Sequence, residues 1–317
     1  MQASVTQQTC GVRNPGQDGQ NYKETFAMQS VVPHRHFASL VAMLFALAGM
    51  VQAAPLPPTT GLQAWYKADA GVTVTGSGVS QWEDQTANNN DATQGTDGAR
   101  PALSSAAMPI GGAAKPVITY GSASGYDQLN LPNVDQATGG GSTVYFVINH
   151  DADDGQGINK NWMNRSAGPA VYGNPNGAGA SAVGVFDNSW IGDNWHAESS
   201  GITGWKVVRA SWVNGASGNL ETYMTNFTTS ASAIEAASGP LTTGNWISIG
   251  YMGYPGDQYT LASFAEILIY NRALTLAEDT QALTYLNSRY FTFIPEPASA
   301  LLVGLAAAGA LLRRRRG

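Results

Sequence analysis

The chain has 317 residues, of which 12% are charged, 37 are glycine and one, Cys10, is cysteine. Residues 54–294 contain 9 Lys and Arg against 19 Asp and Glu, a net charge of −10. An acidic region of this kind argues against a nucleic-acid partner, and the single cysteine argues against cysteine-ligated zinc and iron–sulfur clusters.

Residues 28–53 have the three-part order of a secretory signal peptide. Arg35 lies in a short basic start, the 14 residues 37–50 are apolar, and a segment of small residues suited to cleavage follows. The apolar run is short for a membrane-spanning helix, and the alternative is a buried core helix. We expect translation to start at Met28, which makes residues 1–27 a non-native extension.

Residues 61–292 are predicted to be one all-β domain, joined to the signal by a linker at 54–60. Short runs alternate apolar and polar residues between turns rich in Gly, Asn, Asp and Ser, which is typical of strands. Because no helical segments alternate with these runs, the fold class is a jelly-roll sandwich of two antiparallel sheets. The predicted strands are 142–150, 205–213, 220–225, 246–251 and 265–270.

One helix is predicted near the end of this domain, at residues 275–289. Thr275 and Glu278 fit a capping box, in which the hydroxyl and the carboxylate accept from the first free N–H groups. An apolar stripe of Leu276, Leu283, Leu286 and Tyr290 is then expected to face the sandwich.

The last residues, 293–317, are predicted to form a tail separate from the domain. A Pro-Glu-Pro break, a short apolar helix and a basic stop follow one another, formed by Pro295, Glu296 and Pro297, by residues 298–312, and by Arg313, Arg314, Arg315 and Arg316. This order resembles the PEP-CTERM sorting signal of Gram-negative bacteria. The resemblance implies reading by an exosortase-type sorting enzyme, transient or stable anchoring in the inner membrane, and a role in exopolysaccharide or biofilm matrix. The alternative is an ordinary tail anchor.

Five segments near the two ends of the predicted domain are distinctive: 61–69 (GLQAWYKAD), 79–85 (VSQWEDQ), 247–250 (ISIG), 264–274 (FAEILIYNRAL) and 285–287 (YLN). Together they resemble the concanavalin A-like lectin/glucanase superfamily, in its laminin G-like branch. The resemblance covers about residues 60–291. It implies a two-sheet jelly roll, calcium in many relatives, and functions that range from lectin to hydrolase to adhesive module.

Paired carboxylates are the sequence feature expected of a glycosidase on this fold. Its retaining members place them in a Glu-x-Asp-x-x-Glu or Glu-x-Asp-x-Glu pattern, because alternate strand positions share a face. This sequence has no such pattern. Glu266 stands alone in its predicted strand, and neighbours such as Glu83 and Asp84 point to opposite faces of a strand. We therefore predict that the chain is not an enzyme.

The acidic turn after residue 150 is the candidate metal site. Asp151, Asp153 and Asp154 offer carboxylate oxygens of the kind that calcium binds. Their spacing departs from that of an EF-hand loop, and a solvated hairpin turn is the alternative. Calcium is the one cofactor that the sequence indicates.

Two aromatic-rich loops are candidate carbohydrate contacts. Sugars present apolar C–H faces and hydroxyl edges, which aromatic rings and nearby polar side chains match. The alternative is that these rings pack into the core, where we place Trp65, Trp82, Trp205 and Trp212. The candidate ligand-binding residues are Trp190, Trp195, His196, Tyr251, Tyr254, Asp257 and Tyr259.

Taken together, these features predict an exported, cell-surface or matrix-associated module that binds carbohydrate or adheres, without catalysis. A structural exopolysaccharide or biofilm matrix protein is the first alternative, and a glycan-active hydrolase is the second. The expected partners are signal peptidase, an exosortase-type enzyme, a polysaccharide or matrix glycan, and a membrane reached through the tail.

Overall fold

In the computed structural model the chain divides into two compact units, Met1–Val51 and Gln52–Gly317. The predicted signal peptide and the predicted C-terminal tail lie outside the described residues. All residues that the structure describes belong to the second unit: 55–121, 126–134, 140–150, 160–165, 170–174, 182–186, 202, 204–213, 219–236, 245–250, 260 and 262–292.

The described part of this unit is mostly β-structure. It also contains a short 3₁₀ turn, Asp97–Ala99. Within the described ranges, no helix combines the length and apolar character that crossing a bilayer requires. The strands are β1 (Leu62–Lys67), β2 (Val72–Thr75), β3 (Gly78–Trp82), β4 (Ala92–Thr93), β5 (Ala102–Ala107), β6 (Ala114–Tyr120), β7 (Gln128–Val134), β8 (Gly141–Asn149), β9 (Lys160–Arg165), β10 (Ala170–Asn174), β11 (Ala182–Phe186), β12 (Trp205–Val213), β13 (Asn219–Thr225), β14 (Ser230–Ala236), β15 (Trp246–Gly250) and β16 (Ala262–Tyr270), followed by helix α1 (Leu276–Tyr290).

Sheet A is antiparallel, in the order β14-β13-β12-β8-β16-β6-β5, with β1 also pairing with β16. Its centre is the long pairing of β12 with β8, which begins with Trp205 opposite Asn149. The pairing of β1 with β16 begins with Leu62 opposite Tyr270. Two of the segments that carry the sequence resemblance, one from each end of the domain, therefore lie side by side.

Sheet B is also antiparallel, in the order β11-β10-β9-β15-β7-β4-β3-β2. Apolar side chains on one of its faces, such as Trp82 and Leu129, join the main core. Residues at alternate positions, such as Gln81 and Asn130, point away from that core because successive strand side chains take opposite faces. We call this second side the outer face of sheet B.

The main core contains buried side chains from both sheets. Trp212 of sheet A meets Trp246 of sheet B with ring centroids 5.9 Å apart, and Phe146 meets Trp162 at the same distance. Such edge-to-face aromatic contacts add to the burial energy of large side chains. They hold the inner faces of the two sheets together, an arrangement compatible with a sandwich.

Helix α1 packs on the other side of sheet A and forms a second apolar layer with it. Tyr145 and Leu268 of the sheet and Leu286 of the helix are buried in this layer. The predicted capping box is present: the N–H of Glu278 donates to the Thr275 hydroxyl over 3.4 Å, and the N–H of Thr275 donates to the Glu278 carboxylate over 3.0 Å.

The five predicted strands are observed, with β16 starting three residues earlier than predicted, and the helix begins and ends one residue later. Trp82, Trp205 and Trp212 are buried as predicted, whereas Trp65 is only partly buried. The strands that the sequence did not predict include β5. Its side chains are mostly small or polar and exposed, so it lacks the apolar alternation that marks a strand.

Candidate functional site

A row of uncharged polar residues crosses the outer face of sheet B. Each member is the cross-strand partner of the next, so the row runs perpendicular to six adjacent strands. Neighbouring strands lie ~4.8 Å apart, which gives the row a length of about 24 Å. The members of this polar row, in order, are Thr73, Gln81, Thr93, Asn130, Ser248 and Asn164.

The polar row is exposed at one end and covered at the other. Thr93 and Asn130 are exposed, whereas Ser248 and Asn164 are buried. The Asn164 amide donates to the Ser248 hydroxyl and to the Gly250 carbonyl, both over 3.1 Å. The covered end is therefore fixed by internal hydrogen bonds, while the exposed end presents amides and hydroxyls to solvent.

Two carboxylates lie beside the exposed end of the polar row. The last pair between β3 and β4 is Trp82 opposite Ala92. Glu83 comes one residue after Trp82 and Asp91 one residue before Ala92, so both lie just beyond the end of this antiparallel pairing. The Glu83 side chain lies beside Gly71, because a Cβ added at Gly71 would be 2.8 Å from a Glu83 carboxylate oxygen.

Both carboxylates lie next to strands of sheet B, since Glu83 follows β3 and Asp91 precedes β4. Trp82 points into the core, and Glu83, the next residue, is exposed. The Asp91 carboxylate accepts from Gln81 Nε2 over 2.8 Å, which ties it to a member of the polar row. We call Glu83 and Asp91 the carboxylate pair.

The turn from Asp84 to Asp91 is fixed by hydrogen bonds. The Asp84 carboxylate, 7% exposed, accepts from the Asn90 N–H over 3.0 Å, and the Asp84 N–H donates to Asp91 over 2.9 Å. Burial, followed by the Asp84 and Asp91 carboxylates, raises the pKa of the Tyr66 hydroxyl. Tyr66 therefore stays a hydrogen-bond donor and donates to the Asn90 carbonyl. These contacts give Asp91 a defined orientation.

Glu266 has a structural role, because it is buried beneath helix α1. Its carboxylate accepts from Trp65 Nε1 over 2.5 Å and from the Tyr285 and Tyr290 hydroxyls over 2.6 Å each. Arg289 forms an ion pair with it over 3.1 Å. Burial raises the pKa of Glu266, and the ion pair with Arg289 and the hydrogen bonds partly oppose that rise. A carboxylate enclosed in this way is unsuited to meet a substrate.

The residues predicted as ligand contacts lie outside the described residues: Trp190, Trp195, His196, Tyr251, Tyr254, Asp257 and Tyr259. The same is true of the candidate metal ligands Asp151, Asp153 and Asp154, and of the sorting signal. Among the described residues, no group of three or more His, Cys, Asp or Glu side chains is arranged to hold a metal ion.

The polar row and the carboxylate pair were missed in the sequence. Glu83 is exposed and Asp84 is buried, and Asp91 follows eight residues after Glu83, where the chain returns beside β3. The Asn-rich run before Asp91 was the available signal, because Asn favours tight turns that return the chain beside the preceding strand. No comparable signal exists for the row, whose members are scattered singly over the sequence.

No protein-family model and no curated protein sequence matches the chain. Similar solved structures include an arabinofuranosidase complexed with arabinofuranosyl-α-1,2-xylobiose (10% identity, 75% of this chain and 61% of that chain, TM-score 0.48). Others are a GH54 α-L-arabinofuranosidase (11%, 71% and 62%, 0.47) and the Trypanosoma rangeli sialidase with the inhibitor DANA (12%, 83% and 40%, 0.46). The chain thus spans about three-fifths of the arabinofuranosidases and two-fifths of the sialidase.

These comparisons correct two predictions. The neighbours are glycosidases, which contradicts both the predicted non-catalytic carbohydrate-binding or adhesive module and the prediction that the chain is not an enzyme. At TM-scores below 0.5 the similarity carries no residue roles, so the roles assigned below come from this chain's own side chains.

Proposed function

We propose that the protein is a glycan-active hydrolase that binds a polysaccharide along the exposed end of the polar row and cleaves it at the carboxylate pair. The observation that carries this proposal is that Glu83 and Asp91 flank the Trp82–Ala92 pair of β3 and β4, and that the Asp91 carboxylate is hydrogen-bonded to Gln81 of the row. Hydrolysis of a glycosidic bond requires two carboxyl groups that flank it. The row supplies the hydrogen-bonding groups that hold sugar hydroxyls beside them.

The two carboxyl groups take different roles in this proposal. Both oxygens of Asp91 accept N–H hydrogen bonds, from Gln81 and from the backbone of Asp84. An acceptor role suits the carboxylate that attacks the sugar or activates water. Glu83 is exposed and then serves as the acid, which protonates the departing glycosidic oxygen.

Release of reducing ends by the full-length protein, from a panel of soluble polysaccharides, tests this proposal. We expect turnover of at least one polymer, and a loss of kcat of about 100-fold or more in Glu83→Gln and in Asp91→Asn. Asn at position 91 keeps an oxygen for the Asp84 N–H, so the turn is preserved. Glu221→Gln is the matched control, because Glu221 is a half-exposed carboxylate on sheet A. Turnover that survives both substitutions at the pair would reject the assignment.

We also propose the finer assignments that were made from the sequence. They are the concanavalin A-like jelly roll, export through residues 28–53, sorting through the PEP-CTERM-like tail, calcium at 151–154 and sugar contacts from the two aromatic loops. Peptide sequencing of newly made precursor would check the start of the chain. A peptide from residues 1–27 would reject a start at Met28.

A further inference from the structure

The strands of sheet B contain few charged residues. The eight strands of this sheet contain no Asp or Glu, and their two basic residues, Lys160 and Arg165, stand at the two ends of β9. Solvated sheet faces ordinarily use charged residues for solubility and to prevent edge pairing. Sheet A does so, for example with Arg209 and Glu221, which form an ion pair over 3.1 Å. The neutrality of sheet B therefore needs a separate explanation.

The residue types of the polar row match neutral sugars. Asn, Gln, Ser and Thr side chains each contain both a donor and an acceptor, as sugar hydroxyls do. We infer that the substrate is a neutral polysaccharide, held in an extended form across the strands along the exposed members of the polar row. This inference rests on the proposed function and specifies its substrate class.

Arg100 lies beside β2 and β3, and its guanidinium is already hydrogen-bonded within the protein. Arg100 donates to the Asp97 carboxylate over 2.7 Å and to the carbonyls of Thr75, Gln94 and Gly95 over 2.6 to 3.0 Å. A site for uronic or sialic acids would ordinarily offer a guanidinium whose paired N–H groups face the ligand carboxylate. The N–H groups of Arg100 donate to the protein instead, so Arg100 is not placed to bind the carboxylate of an acidic sugar.

The carboxylates beside the row select against acidic polymers. Glu83 and Asp91 lie at the exposed end of the row, within a region of net charge −10. An anionic polysaccharide drawn along the row would bring like charges together, which lowers the affinity for the wrong ligand. A neutral chain meets no such repulsion.

Affinity electrophoresis of the full-length protein separates the two substrate classes. One set of gels contains galactomannan or hydroxyethylcellulose as the neutral probe, and the other contains polygalacturonate, each at about 20 mM and about 300 mM salt. We expect retardation by a neutral probe that changes less than about two-fold with salt, since no ion pairs form. Asn130→Ala should weaken the retardation by the neutral probe about five- to ten-fold. Ser104→Ala is the matched control, an exposed hydroxyl on sheet A.

Each possible result decides the inference. Retardation by polygalacturonate that disappears at high salt would overturn the neutral substrate class while leaving a glycan-active protein in place. Retardation by neither class would overturn the proposed function and this inference together. Neutral binding that Ser104→Ala weakens as much as Asn130→Ala would reject the row as the binding face.

Discussion

Gln81 donates from its side-chain amide to the Asp91 carboxylate over 2.8 Å. Gln81 is a member of the polar row and Asp91 belongs to the carboxylate pair. This hydrogen bond therefore connects the proposed binding residues to a proposed catalytic carboxylate. The contact also explains why a neutral amide stands next to an acid. It orients the carboxylate without placing a competing charge beside it.

Gln81→Ala should therefore lower both binding and turnover. Loss of the amide removes a proposed sugar contact and leaves one oxygen of the Asp91 carboxylate without its hydrogen-bond donor. We therefore expect kcat/KM to fall by about ten-fold or more. Steady-state kinetics on the responsive polysaccharide measure this. Gln281→Ala, which removes an amide from helix α1, is the control and should leave kcat/KM unchanged. Equal effects of the two substitutions would contradict the role given to Gln81.

Gly250→Ala should destabilise the sheet at the covered end of the row. Gly250 has a φ of 93°, and an added Cβ would lie 2.5 Å from the Asp127 carbonyl oxygen and 2.7 Å from the Tyr120 ring. Strain of this kind costs about 1–3 kcal/mol, and the contacts add to it. Urea denaturation measures the loss. Gly95→Ala should be close to neutral, because its Cβ would meet nothing within 4 Å.

Much of the fold could be predicted because large apolar residues alternate in β8 and β12, and because Thr275 and Glu278 mark the start of α1. The site could not be predicted in the same way. Thr93 and Asn130 become neighbours only when β4 and β7 pair in one register, and a slip of one residue would send both to the opposite face. Local periodicity contains no information on that register.

Glu266→Ala should detach helix α1 from sheet A. The substitution leaves the Trp65 indole N–H, the Tyr285 and Tyr290 hydroxyls and the Arg289 guanidinium without their shared acceptor. Removing one partner from a buried charged network costs about 3–5 kcal/mol. Glu266→Gln keeps one acceptor oxygen and should cost less. Chemical denaturation compares them, and a loss below about 1 kcal/mol in Glu266→Ala would show that the network is dispensable.

Glu278 should make stability depend on acid pH. Hydrogen bonds from Arg272, and then from Thr275, lower the pKa of Glu278 from 4.5 to about 2. The folded state then binds fewer protons than the unfolded state, so this contribution is present above pH 4.5 and is lost as the pH falls towards 2. The difference in unfolding free energy between the wild type and Glu278→Gln should shrink across that interval. A difference that stays constant would contradict the linkage.

The most direct test of the account is the release of reducing ends from a neutral polysaccharide by the wild type, Glu83→Gln and Asp91→Asn, with gel retardation measured in parallel. We predict that the wild type cleaves the polymer, while the two variants bind it within about three-fold of the wild type and turn it over at least about 100-fold more slowly. Retardation of the wild type by the polymer, with no release of reducing ends from any polysaccharide in the panel, would contradict the proposed hydrolase.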